Sequence, residues 1–194
     1  MSVIEAIRAG DETKARELAA SDPQASRQRD DNGTPATLLA LYHGQPELAR
    51  ALLPPDEQLD VFEAASFGRT ERLRELLDED PDAANAYAGD GFQPLGLACF
   101  FGHVDAARLL VERGADVNSF ARNEHIKTAP LHAAAASVGG EKDEAARYEL
   151  CKLLLEHGAE ANLPQESGFT ALDAARQNGD ERIEQLLREH GATG

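Results

Sequence analysis

The sequence predicts an all-helical fold, a solenoid of about six stacked helix-turn-helix repeats with short β-hairpin fingers. Three observations carry that expectation. An alanine four residues before a glycine recurs along the chain, with one copy in which the glycine is displaced. Each glycine is followed by an apolar triplet at i, i+3, i+4, the narrow stripe of a short helix. The glycine itself suits the left-handed position that ends the preceding helix.

In chain order, Ala6 and Gly10 precede Ala15, Leu18 and Ala19, and Ala40 and Gly44 precede Leu48, Ala51 and Leu52. Ala64 and Gly68 precede Leu73, Leu76 and Leu77, and Ala98 and Gly102 precede Ala106, Leu109 and Leu110. Ala134, with Gly139 and Gly140 displaced, precedes Leu150, Leu153 and Leu154, and Ala175 and Gly179 precede Ile183, Leu186 and Leu187. Alanine in each first helix lets paired backbones approach closely. Two short helices with one stripe each bury too little alone, so neighbouring units must supply the core.

These residues resemble the ankyrin repeat family. The stretch Asp90-Gly91-Phe92-Gln93-Pro94-Leu95, with Gly102-His103, Leu109-Leu110 and Gly114-Ala115-Asp116-Val117-Asn118, looks like a near-complete repeat. Thr128-Ala129-Pro130-Leu131-His132 with Gly158-Ala159-Glu160-Ala161-Asn162, and Gly168-Phe169-Thr170-Ala171-Leu172 with Gly191-Ala192, look like two more. Asn32-Gly33-Thr34-Pro35 opens a weaker copy. The resemblance covers essentially the whole chain and implies one domain of six repeats, at about 1–29, 30–58, 59–87, 88–120, 121–163 and 164–194. The first and last are read as caps, the polar run from Glu181 to Glu189 suiting a solvated end face.

Departures from the 33-residue ankyrin period are informative. Gly10 to Gly44 and Gly68 to Gly102 are 34 residues each, but Gly44 to Gly68 is 24. A finger is therefore expected to be replaced by Pro54-Pro55-Asp56-Glu57-Gln58. Gly102 to Gly179 is 77, two periods plus 11. Three extra residues fall in the finger around Arg122 to Lys127, and eight between Ala134 and Leu150. Ser137 to Lys142 reads as a loop with Asp143 as N-cap of the following helix. Drift and function are both open for that insertion.

Composition fits a globular chain, 42% apolar, and no run approaches the roughly 18 apolar residues of a membrane span. The start, Met1-Ser2-Val3-Ile4-Glu5, lacks a basic, apolar signal segment, so a cytoplasmic location is expected. Arginine outnumbers lysine 15 to 4, as in GC-rich bacterial genomes. Cys99 and Cys151 are read as small buried apolar residues. The formal charge of −16 speaks against nucleic acid. It fits either a solvated surface or attraction to a basic protein partner. A monomer is expected.

Nothing points to catalysis. The six histidines and two cysteines show no metal-ligand spacing, no phosphate-cradling glycine loop occurs, and no cofactor or metal is expected. His103 and His132 read as structural, with hydrogen bonding for His132 implied by the resemblance. His157 and His190 each precede a glycine at a helix C-terminus, where a partly charged imidazole is favourable. An enzyme or metal site around His125, His132 and Asp90 is the alternative reading.

The resemblance implies a non-enzymatic protein-binding module, an adaptor or inhibitor, that uses its finger tips and the last turns of its first helices as a concave surface. Tyr42, Phe67, Phe100 and Phe101 map to those last turns, Phe92 and Phe169 to fingers, with Tyr87, Asp90 and Phe120 beside them. Each aromatic either packs on a neighbouring repeat or faces a partner. As a row, Tyr42, Phe67 and Phe101 favour recognition.

Overall fold

A computed structural model describes residues 1–22, 24–123, 125–136, 144–165 and 168–194. Twelve α-helices form six antiparallel pairs among the described residues: α1 (Val3–Arg8) with α2 (Glu12–Ser21), α3 (Ala36–Tyr42) with α4 (Pro46–Leu52), α5 (Val61–Ser66) with α6 (Thr70–Glu79), α7 (Pro94–Phe100) with α8 (Val104–Glu112), α9 (Pro130–Ala136) with α10 (Glu144–Glu156), and α11 (Ala171–Asn178) with α12 (Glu181–Glu189). The odd-numbered helices stack in one row and the even-numbered in another. The sequence alone accounts for this architecture. Gly10, Gly44, Gly68, Gly102 and Gly179 all take positive φ, between 63° and 82°. Ala15, Leu48, Leu73, Leu110, Leu150 and Leu187, one from each of the six triplets, are 0% exposed.

The fingers are tighter than expected. No strand forms among the described residues, and the one isolated bridge joins Arg29 to Pro35. The fingers of repeats two and four are instead hydrogen-bonded turns. Asp30 N donates to the Thr34 carbonyl at 3.0 Å and Ala88 N to that of Phe92 at 2.9 Å. The segment after α4 carries only a single 3-10 turn, Asp56–Gln58, where a finger would stand. The insertion from Ser137 to Asp143, with its expected N-cap, lies outside the described residues.

That missing finger divides the interior. One apolar cluster runs from Val3 to Leu52 and a second from Val61 to Ala192. In the outer row α4 and α6 scarcely meet, whereas α2–α4, α6–α8, α8–α10 and α10–α12 all pack. Polar groups bridge the gap: Thr37 Oγ1 donates to buried Glu63 at 2.6 Å, and Arg29 pairs with Asp60 at 2.9 Å. Burial raises the Glu63 carboxyl above its ordinary value, opposed by the Thr37 bond.

The larger unit carries a repeated asparagine clamp. Asn85 accepts from Asp116 N at 2.8 Å and donates to the Gly114 carbonyl at 2.9 Å. Asn118 does the same to Glu160 N and Gly158 O, and Asn162 to Thr193 N and Gly191 O. Each asparagine ties its repeat to the next at two points. Cys99 and Cys151 are buried free thiols, and burial pushes Cys151 up to about 12. They serve as small apolar groups.

Candidate functional site

Fingers and first helices enclose a groove of about 940 Å³. Its finger edge is continuous despite the missing finger, because the second repeat's finger reaches the fourth's. Gly89 lies so close to Asn32 that a Cβ there would stand 1.7 Å from the Asn32 carbonyl oxygen. The row continues where Arg122 N donates to Gly91 O at 2.8 Å and Asn123 Nδ2 to Asp90 O at 2.7 Å.

Six of the nine residues expected to bind a partner line this groove: Tyr42, Phe67, Asp90, Phe92, Phe100 and Phe101. All six are half-buried and several pack on each other. Tyr42 stacks on Phe101 with ring centroids 6.3 Å apart and lies 6.0 Å from Phe92, while Phe100 meets Phe101 edge-on at 5.1 Å. The Tyr42 hydroxyl donates to Asp90 Oδ2 at 3.1 Å, and Thr34 Oγ1 reaches the same oxygen at 3.4 Å. Burial first, and the Asp90 charge second, push the Tyr42 phenol well above its ordinary value. Much of this aromatic surface therefore closes the gap between repeats two and four.

The other three stand apart from the groove lining. Tyr87 bonds Ser119 Oγ at 2.9 Å, with the Arg122 guanidinium 3.8 Å over its ring. Phe120 gives its carbonyl to Tyr87, and Phe169 packs on the C-terminal core. Sequence reading missed Ser66, Gly96, His103 and Ile126, which also line the groove. Gly96 and Ile126 fall in no motif. Their signal was indirect, a helix-interior glycine and an apolar residue in an inserted finger.

The histidines divide by position. His103 Nε2 meets the Ser66 carbonyl at 2.8 Å, crossing from the fourth repeat to the third. Burial lowers its pKa, against the Ser66 bond and with help from the Arg69 and Arg50 charges. His132 is 2% exposed, and neither ring nitrogen has a partner at hydrogen-bond geometry. Burial lowers its pKa too, while the nearby main chain of Leu163 and Phe169 opposes the shift. Thr128 Oγ1, of the same motif, is 3.4 Å from the Ala129 carbonyl and accepts from Gln165 Nε2 at 3.3 Å. His157 and His190 meet the carbonyls of Leu153 and Leu186, four residues back, at 2.8 and 2.9 Å.

His125, His132 and Asp90 share the groove, yet Asp90 is occupied by Tyr42 and Thr34. Among the described residues no three His, Cys, Asp or Glu gather as a metal would need. The groove's charged lining is two arginines, Arg50 and Arg69, and two aspartates, Asp30 and Asp90. What this arrangement does best is bury apolar surface.

Known proteins bear on the same residues. A family model described as ankyrin repeats in three copies matches residues 61–121, and one described as ankyrin repeats in many copies matches 131–188. The chain is 37% identical over 114 residues to Ankyrin repeat and SAM domain-containing protein 6 of Rattus norvegicus, covering 59% of this chain and 12% of that protein. It is 36% identical over 124 residues to Putative ankyrin repeat protein YahD of Escherichia coli, covering 62% and 57%. It is 28% identical over 185 residues to the NF-kappa-B inhibitor cactus of Drosophila melanogaster, covering 90% and 34%. The chain thus spans 12 to 57% of the lengths of these relatives. With two models matching in tandem, helix pairs stacked in two rows and a finger-edged groove between them, the chain belongs to the ankyrin repeat family.

Proposed function

We propose that this chain is a non-enzymatic binding module that holds a segment of another protein in the groove between its fingers and first helices. The observation carrying this reading is the groove itself, a preformed concavity whose wall includes the half-buried side chains of Leu41, Tyr42, Phe67, Phe92, Phe100 and Phe101. Such surface in a water-facing concavity is the usual mark of an interaction site. A rigid groove also lowers the ordering cost of binding.

Cactus, the relative with the widest coverage of this chain among those described, is named as an inhibitor. Masking a partner's segment would make this chain an inhibitor, and linking two partners would make it an adaptor. The acidic exterior would speed association with a partner whose flanking surface is basic. No helix among the described residues is long and apolar enough to cross a membrane. The proposed module is a cytoplasmic monomer.

A photo-crosslinking residue introduced at Asn32 or Ile126, on the groove edge, should capture one dominant protein in the native cell. The same group at Arg74 on α6 should capture none. Capture from Arg74 with silence at both groove positions would overturn the reading.

A further inference from the structure

Gly96 is the third residue of α7, inside the helix. Glycine there costs about 1 kcal/mol relative to alanine. Its backbone is not left-handed, and a Cβ built on it would meet nothing within 4 Å. Neither conformation nor crowding requires a glycine at this position. The matching residue of α9 is His132, since Pro94-Leu95-Gly96 and Pro130-Leu131-His132 open their helices in the same register. A missing side chain at 96 therefore opens the groove floor where its neighbour fills it.

The same groove is lined by Leu97 and Phe100 of α7, Ala133 and Ala136 of α9, and Ile126 of the lengthened finger. Ile126 is 52% exposed and, with Met1, is one of two exposed large apolar side chains among the described residues. Its turn is built to hold it. Asn123 Oδ1 accepts from His125 N at 2.9 Å and Ile126 N at 3.0 Å, while Asn123 Nδ2 anchors the turn to Asp90 O.

We infer that this end of the groove is a socket for one bulky apolar side chain, carried on an uncharged segment of the partner. The inference rests on the groove reading above and names the occupant's chemistry. Charge selects it: the lining carries two arginines and two aspartates, so the whole formal charge of −16 lies outside the groove. A charged side chain entering it gains no net attraction and loses its hydration.

The probe is a display library of linear dodecapeptides selected on the full chain, with the recovered peptides synthesised and titrated by calorimetry. The expected motif has one invariant aromatic or branched apolar residue and no charged neighbours. Gly96→Leu should fill the socket and weaken binding about 10-fold or more, with the melting temperature unchanged or raised. Gly96→Ala, the milder filling, should lie between. Ile126→Asp should weaken binding at an unchanged melting temperature. Equal binding by Gly96→Leu, recovery of basic peptides only, or no recovery at all would overturn the socket. Loss in Phe67→Ser, shown folded by circular dichroism, with full binding in Gly96→Leu would leave the groove reading standing and remove the socket. Full binding in both would remove both.

Discussion

The Tyr42 hydroxyl, at the end of the second repeat's first helix, donates 3.1 Å to the Asp90 carboxylate in the fourth repeat's finger. Forty-eight residues separate the two, and the third repeat, which lies between them in sequence, contributes no finger. Tyr42 therefore holds the stack together where it is thinnest. Tyr42→Phe keeps the stacking on Phe101 but leaves Asp90 short of a donor, and should cost about 1 to 2 kcal/mol in denaturant unfolding. A cost near zero would mean that the hydroxyl adds nothing to the junction.

Gly89 makes the second contact across that junction. Any Cβ would collide with the Asn32 carbonyl, a main-chain atom that no side-chain rotation can relieve. Gly89→Ala should push the two fingers apart and cost about 1 to 3 kcal/mol. Amide exchange at residues 30–34 should rise with it. An unchanged exchange pattern would show that the fingers do not touch in solution.

Two apolar clusters should open separately. Leu48 and Leu110 are each 0% exposed, one in each cluster, so alanine at either should cost about 2 to 5 kcal/mol. Leu48→Ala should raise exchange across residues 3–52 and leave 61–192 protected, because the asparagine clamps at 85, 118 and 162 bind only the larger unit. Uniform loss of protection along the chain would contradict the division.

Acid should weaken the groove wall. The folded-state pKa of His103 is held below its ordinary value, chiefly by burial, so the unfolded chain binds more protons as pH falls below about 6.5. Stability is complete above that pH and declines as pH drops towards the lowered folded value. Glu63, whose pKa is raised by burial, acts in the opposite sense, the folded state holding its proton as pH rises from 4.5. Comparing melting temperatures at pH 7.5 and 5.5 in the wild type and His103→Gln isolates the histidine: the wild type should lose more. Equal losses would place His103 in water.

The helix pairs were legible in the sequence because a leucine triplet and a glycine are local signals, read within one turn of helix. The missing finger was legible too, from the 24 residues between Gly44 and Gly68. Its consequence was not. Tyr42, Phe92 and Phe101 fall at recognition positions by register, yet they meet because the fingers of repeats two and four close over the gap, and no spacing reports a contact across an absent element. His132 carries the motif, but the main chain that acts on its ring belongs to Leu163 and Phe169, which no local spacing reports. Gly96 was invisible for the opposite reason, its meaning being the atoms that are absent around it.

Amide hydrogen exchange of the chain with and without the partner captured at Asn32 or Ile126 tests the central claim most directly. If the groove is the binding surface, protection should appear in the fingers at 30–34, 88–92 and 121–126 and in the first helices α3, α5, α7 and α9, with α6, α8 and α12 unchanged. Protection confined to those outer helices would place the partner on the other face and contradict the account.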